Sequence, residues 1–545
     1  MKSSDPTPPR RSGALNALAP SIILAWGWPR RLIAFSAGAI GALAMPPVGF
    51  FPALLIPMTI AVWLIDGASD HGESRWSSPR AAFAAGWWWG FGYFVAGLWW
   101  LGAAFLVDAD HFAWALPLGV LGLPAALALF PALGFALARL VWPSGAARPL
   151  ALAFGLGLSE WLRCVVLTGF PWNEIGMALG QNLLLAQFAS YVGLHGMTLL
   201  AILIFAAPAT LAGSPPRWAP TVLAGLALAG LAGFGAWRLA DPAPAMVAGI
   251  KLRLMQPDIS QGADFAPAKG AEILAHYLQL SDRATSPDRT GVADVTHLIW
   301  PESAFPFILS RDAGAMARIA EFLKGGAVLA TGAARMEGEK RAGGRVHYFN
   351  SIEVLDHTGL LSERYDKHHL VPFGEYMPFQ ALLEKTGITQ FVQFPGGFDR
   401  GVGSEVLRIP GLPDVIAMVC YEAIFPNERG GAREGEARRA AWLLNLTDDA
   451  WFGLTAGPYQ HFAQARLRTI ELGLPMARVA NGGISALIDA SGRVLSSASL
   501  GSEAVLDMGL PGALPPTWQS RWGSASFALG LLLLALASLT ARARR

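Results

Sequence analysis

Val415-Ile-Ala-Met-Val-Cys-Tyr-Glu422 is the stretch on which the reading of this chain turns. Its short apolar run predicts a β-strand, and the strand ends on a cysteine followed by two more polar side chains. Runs of the same kind recur on either side. Ile250-Lys-Leu-Arg-Leu-Met255, His297-Leu-Ile-Trp300, Ala327-Val-Leu-Ala330, His347–Val354 and Trp442-Leu-Leu-Asn445 are further strand candidates. Ile484–Ile488 and the run from Val494 predict a closing hairpin around Ser491-Gly492. Helices are predicted at 268–283, 312–324 and 458–472. Strands alternating with helices argue for one α/β layered domain, at about 245–510.

The rest of the chain is of another kind. Hydrophobic residues make up 53% of the sequence and charged residues 15%, with a mean hydropathy of +0.40. A soluble domain is nearer a quarter charged, so much of this chain must face lipid. A bilayer core takes about 20 apolar residues as helix. Seven such stretches lie at 32–48, 49–67, 81–106, 112–138, 149–167, 186–212 and 218–238, and an eighth at 523–541. The expected organisation is a flexible tail over 1–27, a transmembrane domain over 28–240, the α/β domain, and a final helix with a basic tail over 511–545.

Orientation follows the Arg and Lys residues at the span ends. With the N-terminus inside, the cytoplasmic segments hold Lys2, Arg10, Arg11, Arg30, Arg31, Arg75, Arg80, Arg139, Arg148 and Arg217, with Arg542, Arg544 and Arg545 in the tail. The other side shows only Arg163, Arg238 and Arg521 near its span ends. Seven spans from a cytoplasmic start put the α/β domain across an inner membrane, on its periplasmic side, and the eighth returns the C-terminus. Trp87-Trp88-Trp89 and Trp99-Trp100 bracket the third span and are expected to anchor it at the interfaces. Glu160, Asn173 and Glu174 are costly so close to spans; they either line a polar crevice under the α/β domain or sit at the outer interface.

A net charge of +2 gives no support to nucleic-acid binding. The two cysteines, Cys164 and Cys420, sit in unlike settings and are not expected to pair. With no Cys–x–x–Cys or Cys/His cluster, neither a metal nor a cofactor is expected. Three groups at strand ends carry chemistry instead: Glu302 after the run ending in Trp300-Pro301, Lys367 in the loop after Tyr365-Asp366, and Cys420. A thiol is mostly protonated at neutral pH, and a carboxylate within reach can take its proton. A lysine can hold the charge of a tetrahedral intermediate, with the backbone N–H of Tyr421 as second donor. Glu, Lys and Cys therefore suffice for acyl transfer through a thioester.

Trp300-Pro-Glu-Ser, Tyr365-Asp-Lys-His-His-Leu-Val-Pro-Phe-Gly-Glu375 and Val419-Cys-Tyr-Glu422 resemble the three signature segments of the nitrilase (carbon-nitrogen hydrolase) superfamily. Together with Asp449-Ala-Trp-Phe-Gly453 and Gln460-His-Phe, the last two are similar to one branch, the apolipoprotein N-acyltransferases. The resemblance covers the whole chain and implies a nitrilase-like αββα sandwich beside a polytopic α-helical membrane domain of about eight spans. It implies Glu302 as general base, Lys367 as oxyanion holder and Cys420 as acylated nucleophile. Glu375, Tyr421 and Glu422 match supporting positions, and Phe265, Trp451, Phe391 and Phe394 are candidate substrate contacts. The implied donor is a phospholipid, typically phosphatidylethanolamine, and the acceptor the α-amino group of a diacylglyceryl-cysteine at an apolipoprotein N-terminus. Phe265 stands where some members have Trp, and Asp448 where Asn is common.

Two other readings use the same residues. A membrane-tethered amidase would share the triad but leave the spans unexplained. A transporter with an inactive appended domain would need paired broken helices in repeated halves, which the sequence lacks.

Overall fold

The central strands of the α/β domain are buried along nearly their whole length because both of their faces are covered. In the computed structural model, which describes residues 14–68, 77–213, 215–338, 346–378, 397–402, 406–426 and 440–544, the strands form two six-stranded sheets. The strands are β1 (Leu252–Gln256), β2 (His297–Ile299), β3 (Val328–Glu337), β4 (His347–Leu355), β5 (Leu361–Asp366), β6 (Val406–Leu407), β7 (Val415–Val419), β8 (Trp442–Asp448), β9 (Met476–Asn481), β10 (Ala486–Ile488), β11 (Val494–Ser497) and β12 (Ala504–Met508). One sheet runs β12-β1-β2-β3-β4-β5 and the other β11-β10-β9-β8-β7-β6. β1, β2 and β3 are mutually parallel, as are β7, β8 and β9; the outer strands are antiparallel.

The period-two rule sorts the side chains. Leu252 and Leu254 of β1, Val415, Ala417 and Val419 of β7, and Trp442, Leu444 and Leu446 of β8 fill the space between the sheets. Their alternates turn outward under helices. Met255, Leu298 and Leu329 meet helices Gly270–Ser281 and Ala313–Leu323, and Ile416, Met418 and Leu443 meet helix Ala456–Leu472. The layers are helix, sheet, sheet, helix, as the sequence implies. β5, β6, β9 and β12 add to the strands expected from the sequence.

Each of the eight apolar stretches is helical. Among the described residues six helices are long and apolar enough to cross a membrane: Ser78–Leu106, Ala109–Leu140, Gly145–Thr168, Ala189–Leu211, Ala219–Leu239 and Ala525–Ala543. The first two stretches form shorter helices, Gly27–Gly41 and Phe51–Asp66. Residues Ala14–Ile23, expected within a flexible tail, are helical and pack against helix Leu55–Asp66. The expected interfacial anchoring fails for two tryptophans: Trp89 and Trp100 are fully buried, while Trp99 is exposed. Glu160, Asn173 and Glu174 are buried too, not at an outer interface. Glu160 pairs with Arg163 at 2.6 Å, Glu174 with His195 at 2.9 Å, and the Asn173 amide donates to Gly97 O at 3.1 Å.

The two halves are stitched together. Val247 N–H donates to Leu510 O at 2.8 Å, so the chain enters and leaves the sandwich at one point. Helix Ala456–Leu472 is buried on two sides: Ala465 belongs to the sheet-side cluster, while Ala463, Leu467 and Ile470 join the core of the membrane helices.

Helices Gly27–Gly41 and Ser77–Leu98 cross at glycines, as close helix packing in lipid favours. A Cβ at Gly38 would stand 1.8 Å from Trp89 O, and one at Gly92 would stand 2.0 Å from Phe35 O. Gly92→Val is therefore expected to destabilise the protein by about 1–3 kcal/mol or more, through overpacking. Thermal unfolding in detergent reads this out, and an unchanged midpoint would mean the helices are not held this close.

Candidate active site

Three strand ends, drawn from both sheets, converge between the sheets' carboxyl edges. Glu302 lies in the turn after β2. That turn is locked to β3, with Ala304 N–H donating to Gly332 O and Gly332 N–H to Pro301 O, both at 3.1 Å. Only glycine fits at 332, because a Cβ there would sit 2.5 Å from Glu302 Cα. Lys367 follows β5 and carries the ladder one residue further, its N–H donating to Asn350 O at 2.8 Å. Cys420 follows β7 with φ +51°, in the left-handed region that side chains with a Cβ rarely adopt.

The side chains meet in a buried cluster. The Lys367 ammonium, 1% exposed, lies 3.0 Å from Glu375 and 3.7 Å from Glu302 Oε1. Asn350 ties the two carboxylates together, its amide donating to Glu302 Oε1 and to Glu375 Oε1 at 2.8 Å each. Glu302 Oε2 accepts from Asp448 N–H at 2.8 Å, and the Cys420 thiol lies within reach of the same carboxylate. Glu375 is fixed further by Val371 N–H at 2.8 Å. The sequence reading missed Asn350; nothing in its polar, mid-strand setting signals a site residue.

The electrostatics suit a reaction that moves one proton. Burial holds Glu302 above the ordinary carboxylate range although Lys367 pulls it down. Burial alone would lower Lys367, but Glu375 and Glu302 outweigh it and keep the ammonium charged. Burial pushes the Cys420 thiol well up, and Glu302 pushes it further. The cysteine is thus a thiol at rest, near a carboxylate with the chemistry to take its proton.

Glu422 shapes the site from behind. Its Oε1 accepts from Tyr365 OH (2.9 Å), His368 N–H (2.9 Å) and His369 N–H (3.1 Å), and its Oε2 from Val419 N–H (2.7 Å). It therefore binds the loop after Lys367 to the strand end before Cys420. Tyr421 reaches the membrane half, where its hydroxyl donates to Gly169 O at 2.9 Å. His369 Nε2 lies 2.7 Å from Thr168 O on the same loop.

The candidate substrate contacts fare differently. Phe265 is partly buried against the cluster of Tyr277, Trp300 and Phe305, which accounts for its apolar side chain without a substrate. Trp451 is partly buried in the turn Asp449–Phe452, directly after Asp448. Phe391 and Phe394 lie outside the described residues; further along, Phe398 N–H is bonded to Glu375 O at 2.8 Å. Asp448 is buried beside Glu302 and accepts from Gln261 Nε2 at 2.6 Å and Asn481 Nδ2 at 3.1 Å.

Cys164 and Cys420 are both free. Among the described residues one group has metal-ligand proximity, Cys164 with Glu174 and His195 in the membrane half. Its carboxylate is already engaged by His195 Nδ1 at 2.9 Å and Thr198 Oγ1 at 2.6 Å. At the Glu302–Lys367–Cys420 cluster the ammonium fills the place between carboxylates that a cation would need. A thiol, a base and a fixed cation can together attack a carbonyl and hold the resulting oxyanion.

The family profile described as "Apolipoprotein N-acyltransferase N-terminal domain" matches residues 37–207, and that described as "Carbon-nitrogen hydrolase" matches residues 268–512. An apolipoprotein N-acyltransferase of Rhodopseudomonas palustris is 51% identical over 96% of this chain and 97% of its own length. One of Bradyrhizobium diazoefficiens is 51% identical over 97% of this chain and 98% of its own length. Among solved structures, an amidase from Nesterenkonia sp. AN1 aligns with a TM-score of 0.34 and 18% identity, over 49% of this chain and 93% of its own.

Glu422→Ala would remove the acceptor shared by three backbone N–H groups and the Tyr365 hydroxyl, the last of which also lies 2.8 Å from His368 Nδ1. The expected loss is at least about 3 kcal/mol of stability, since each buried unsatisfied group costs about 1–3 kcal/mol. Glu422→Gln, which keeps one carbonyl oxygen, should lose less. Unfolding midpoints of the two variants in detergent check this order, and equal midpoints would contradict it.

Proposed function

The chain belongs to the apolipoprotein N-acyltransferase family, and on that footing we propose the path of its reaction and the part each side chain plays. It is a membrane acyltransferase that moves an acyl chain from a membrane lipid, through a cysteine thioester, to an apolipoprotein. The reading of the site rests on one observation: the partly buried Cys420 meets the buried Glu302 carboxylate and Lys367 ammonium in a single cluster.

Glu302 takes the thiol proton as Cys420 Sγ attacks the ester carbonyl carbon of a phospholipid, phosphatidylethanolamine in the simplest case. The oxyanion is held by Lys367 Nζ and the Tyr421 N–H. The C–O bond breaks, and the lysophospholipid leaves with the proton from Glu302. The thioester then waits for the α-amino group of a diacylglyceryl-cysteine. That amine attacks, Glu302 takes its proton, the C–S bond breaks, and the proton returns to Cys420. The product is an amide and the kinetics are ping-pong. Glu375 and Glu422 act by positioning, Glu375 on Lys367 and Glu422 on the nucleophile's turn. Trp451, Phe391 and Phe394 are the candidate substrate contacts in this scheme.

The catalytic domain, about 245–510, works on the periplasmic side, with both termini in the cytoplasm. Contacts among the cationic span ends support this. Arg148 pairs with Asp66, Arg542 reaches the Leu140 carbonyl, and Arg217 lies against Gly145, so these arginines gather at one end of the bundle.

Purified protein incubated with phosphatidylethanolamine should gain one hydroxylamine-sensitive acyl mass, absent in Cys420→Ala and discharged by a diacylated lipopeptide. Discharge by water alone would favour an amidase-type hydrolase, and no adduct with any phospholipid would end the reading. Lys367→Ala should slow adduct formation by about 100–1,000-fold, the usual cost of one oxyanion donor. The pH dependence has a definite sign. A protonated Glu302 cannot accept the thiol proton, and burial raises its pKa. Adduct formation should therefore decline with falling pH while still above the range of a free glutamate, about 4.3. A rate that is flat down to that value would argue against Glu302 as base.

A further inference from the structure

Two consecutive residues of helix Ala456–Leu472 connect the membrane half to the nucleophile. Gln460 Oε1 accepts from the indoles of Trp100 and Trp172 at 3.0 and 2.9 Å, and its amide donates to Pro46 O and Gly97 O at 3.1 and 3.2 Å. Its neighbour His461 is fully buried, with its ring 5.3 Å from that of Trp172. His461 Nε2 lies 3.1 Å from the Cys420 carbonyl oxygen. Nδ1 lies 2.8 Å from Asp449 Oδ1 and 3.2 Å from Arg478 Nη2.

These contacts fix where the ring proton must be. Nδ1 faces both an acceptor and a donor, but the partner of Nε2 is a carbonyl, which can only accept. Nε2 therefore carries hydrogen whether the ring is neutral or charged. Asp449 is a dependable anchor for the ring. Despite burial, His461 and Arg478 hold its pKa down at about 2.

The oxygen that His461 holds belongs to the peptide joining Cys420 to Tyr421. A trans peptide is planar, with its C=O and N–H pointing opposite ways. Pinning the oxygen toward His461 therefore aims the Tyr421 N–H away from it. The turn needs such a restraint, because Cys420 sits at φ +51°, where the backbone is strained.

We propose that His461 is a positioning residue for the oxyanion hole: its Nε2–H holds the Cys420 carbonyl and thereby sets the direction of the Tyr421 N–H. Through Gln460 and Trp172, the membrane half steadies the helix that carries it. This inference rests on the acyl-transfer reading above, in which the Tyr421 N–H receives the oxyanion.

The test compares two reactions of the same thiol. Acylation from phosphatidylethanolamine passes through an oxyanion; alkylation by iodoacetamide is a direct displacement and does not. In the full-length protein, His461→Phe should slow single-turnover acylation by about 100-fold while leaving the Cys420 alkylation rate within about threefold. His461→Gln, which can return an N–H to the carbonyl, should recover most of the acylation rate. His461→Asn, polar but too short to reach, should behave like His461→Phe and serves if the phenylalanine variant does not fold. Equal losses in both reactions would mean a merely structural role and overturn the proposal. So would normal acylation in His461→Asn, or a glutamine variant no better than asparagine. If wild-type protein alkylates but never acylates, the acyl-transfer reading itself fails and the proposal goes with it.

Discussion

A buried ammonium must be neutralised, and Lys367 is that ammonium. Taking a charge out of water costs several kcal/mol unless partners and hydrogen bonds replace the lost hydration. Here Glu302 and Glu375 supply the negative charge, and Asn350, Val371 N–H and Asp448 N–H saturate the carboxylate oxygens. Those partners come from β4, from the loop after β5 and from the end of β8. Both sheets must therefore bring their edges to one point, and the inter-sheet core of alternating apolar residues keeps them there. The same arrangement sets the Glu302 carboxylate beside a thiol that burial and that carboxylate keep protonated.

Much of this was legible in the sequence, and the failures have physical reasons. β7 announces itself because both of its faces are apolar, and β8 because it opens on the run Trp442-Leu-Leu. β5, Leu361-Ser-Glu-Arg-Tyr-Asp366, lies at a sheet edge with its first four residues exposed, so it reads as a loop. β9 carries Arg478, an unlikely strand-core residue until Asp449 is seen bonded to it at 2.7 Å. Trp89 and Trp100 read as interfacial because a linear sequence shows aromatic residues at span ends but not which neighbour covers them. Trp89 bonds Pro57 O at 3.2 Å inside the bundle, and Trp100 bonds a catalytic-domain glutamine.

The clustered Glu302, Lys367 and Cys420 stood out in the sequence because they lie in long motifs. Their supports were less visible. Asn350 is a polar residue in the middle of a strand, and His461 meets the Cys420 carbonyl only through the folding of two distant segments. Glu422 stood beside the nucleophile in sequence, yet its work is to gather four backbone and phenolic donors.

Helix Ala456–Leu472 carries a consequence for traffic. An exchange reaction must release one lipid product before a second lipid arrives, and a cleft between two lobes often opens for such a step. Parting the lobes here would have a cost: Gln460 has its four side-chain bonds in the membrane half, and Leu467 and Ile470 are embedded in its core. Lifting the sandwich from the bundle would strip both. The seam therefore makes one packed unit of the two halves rather than two lobes hung on a linker.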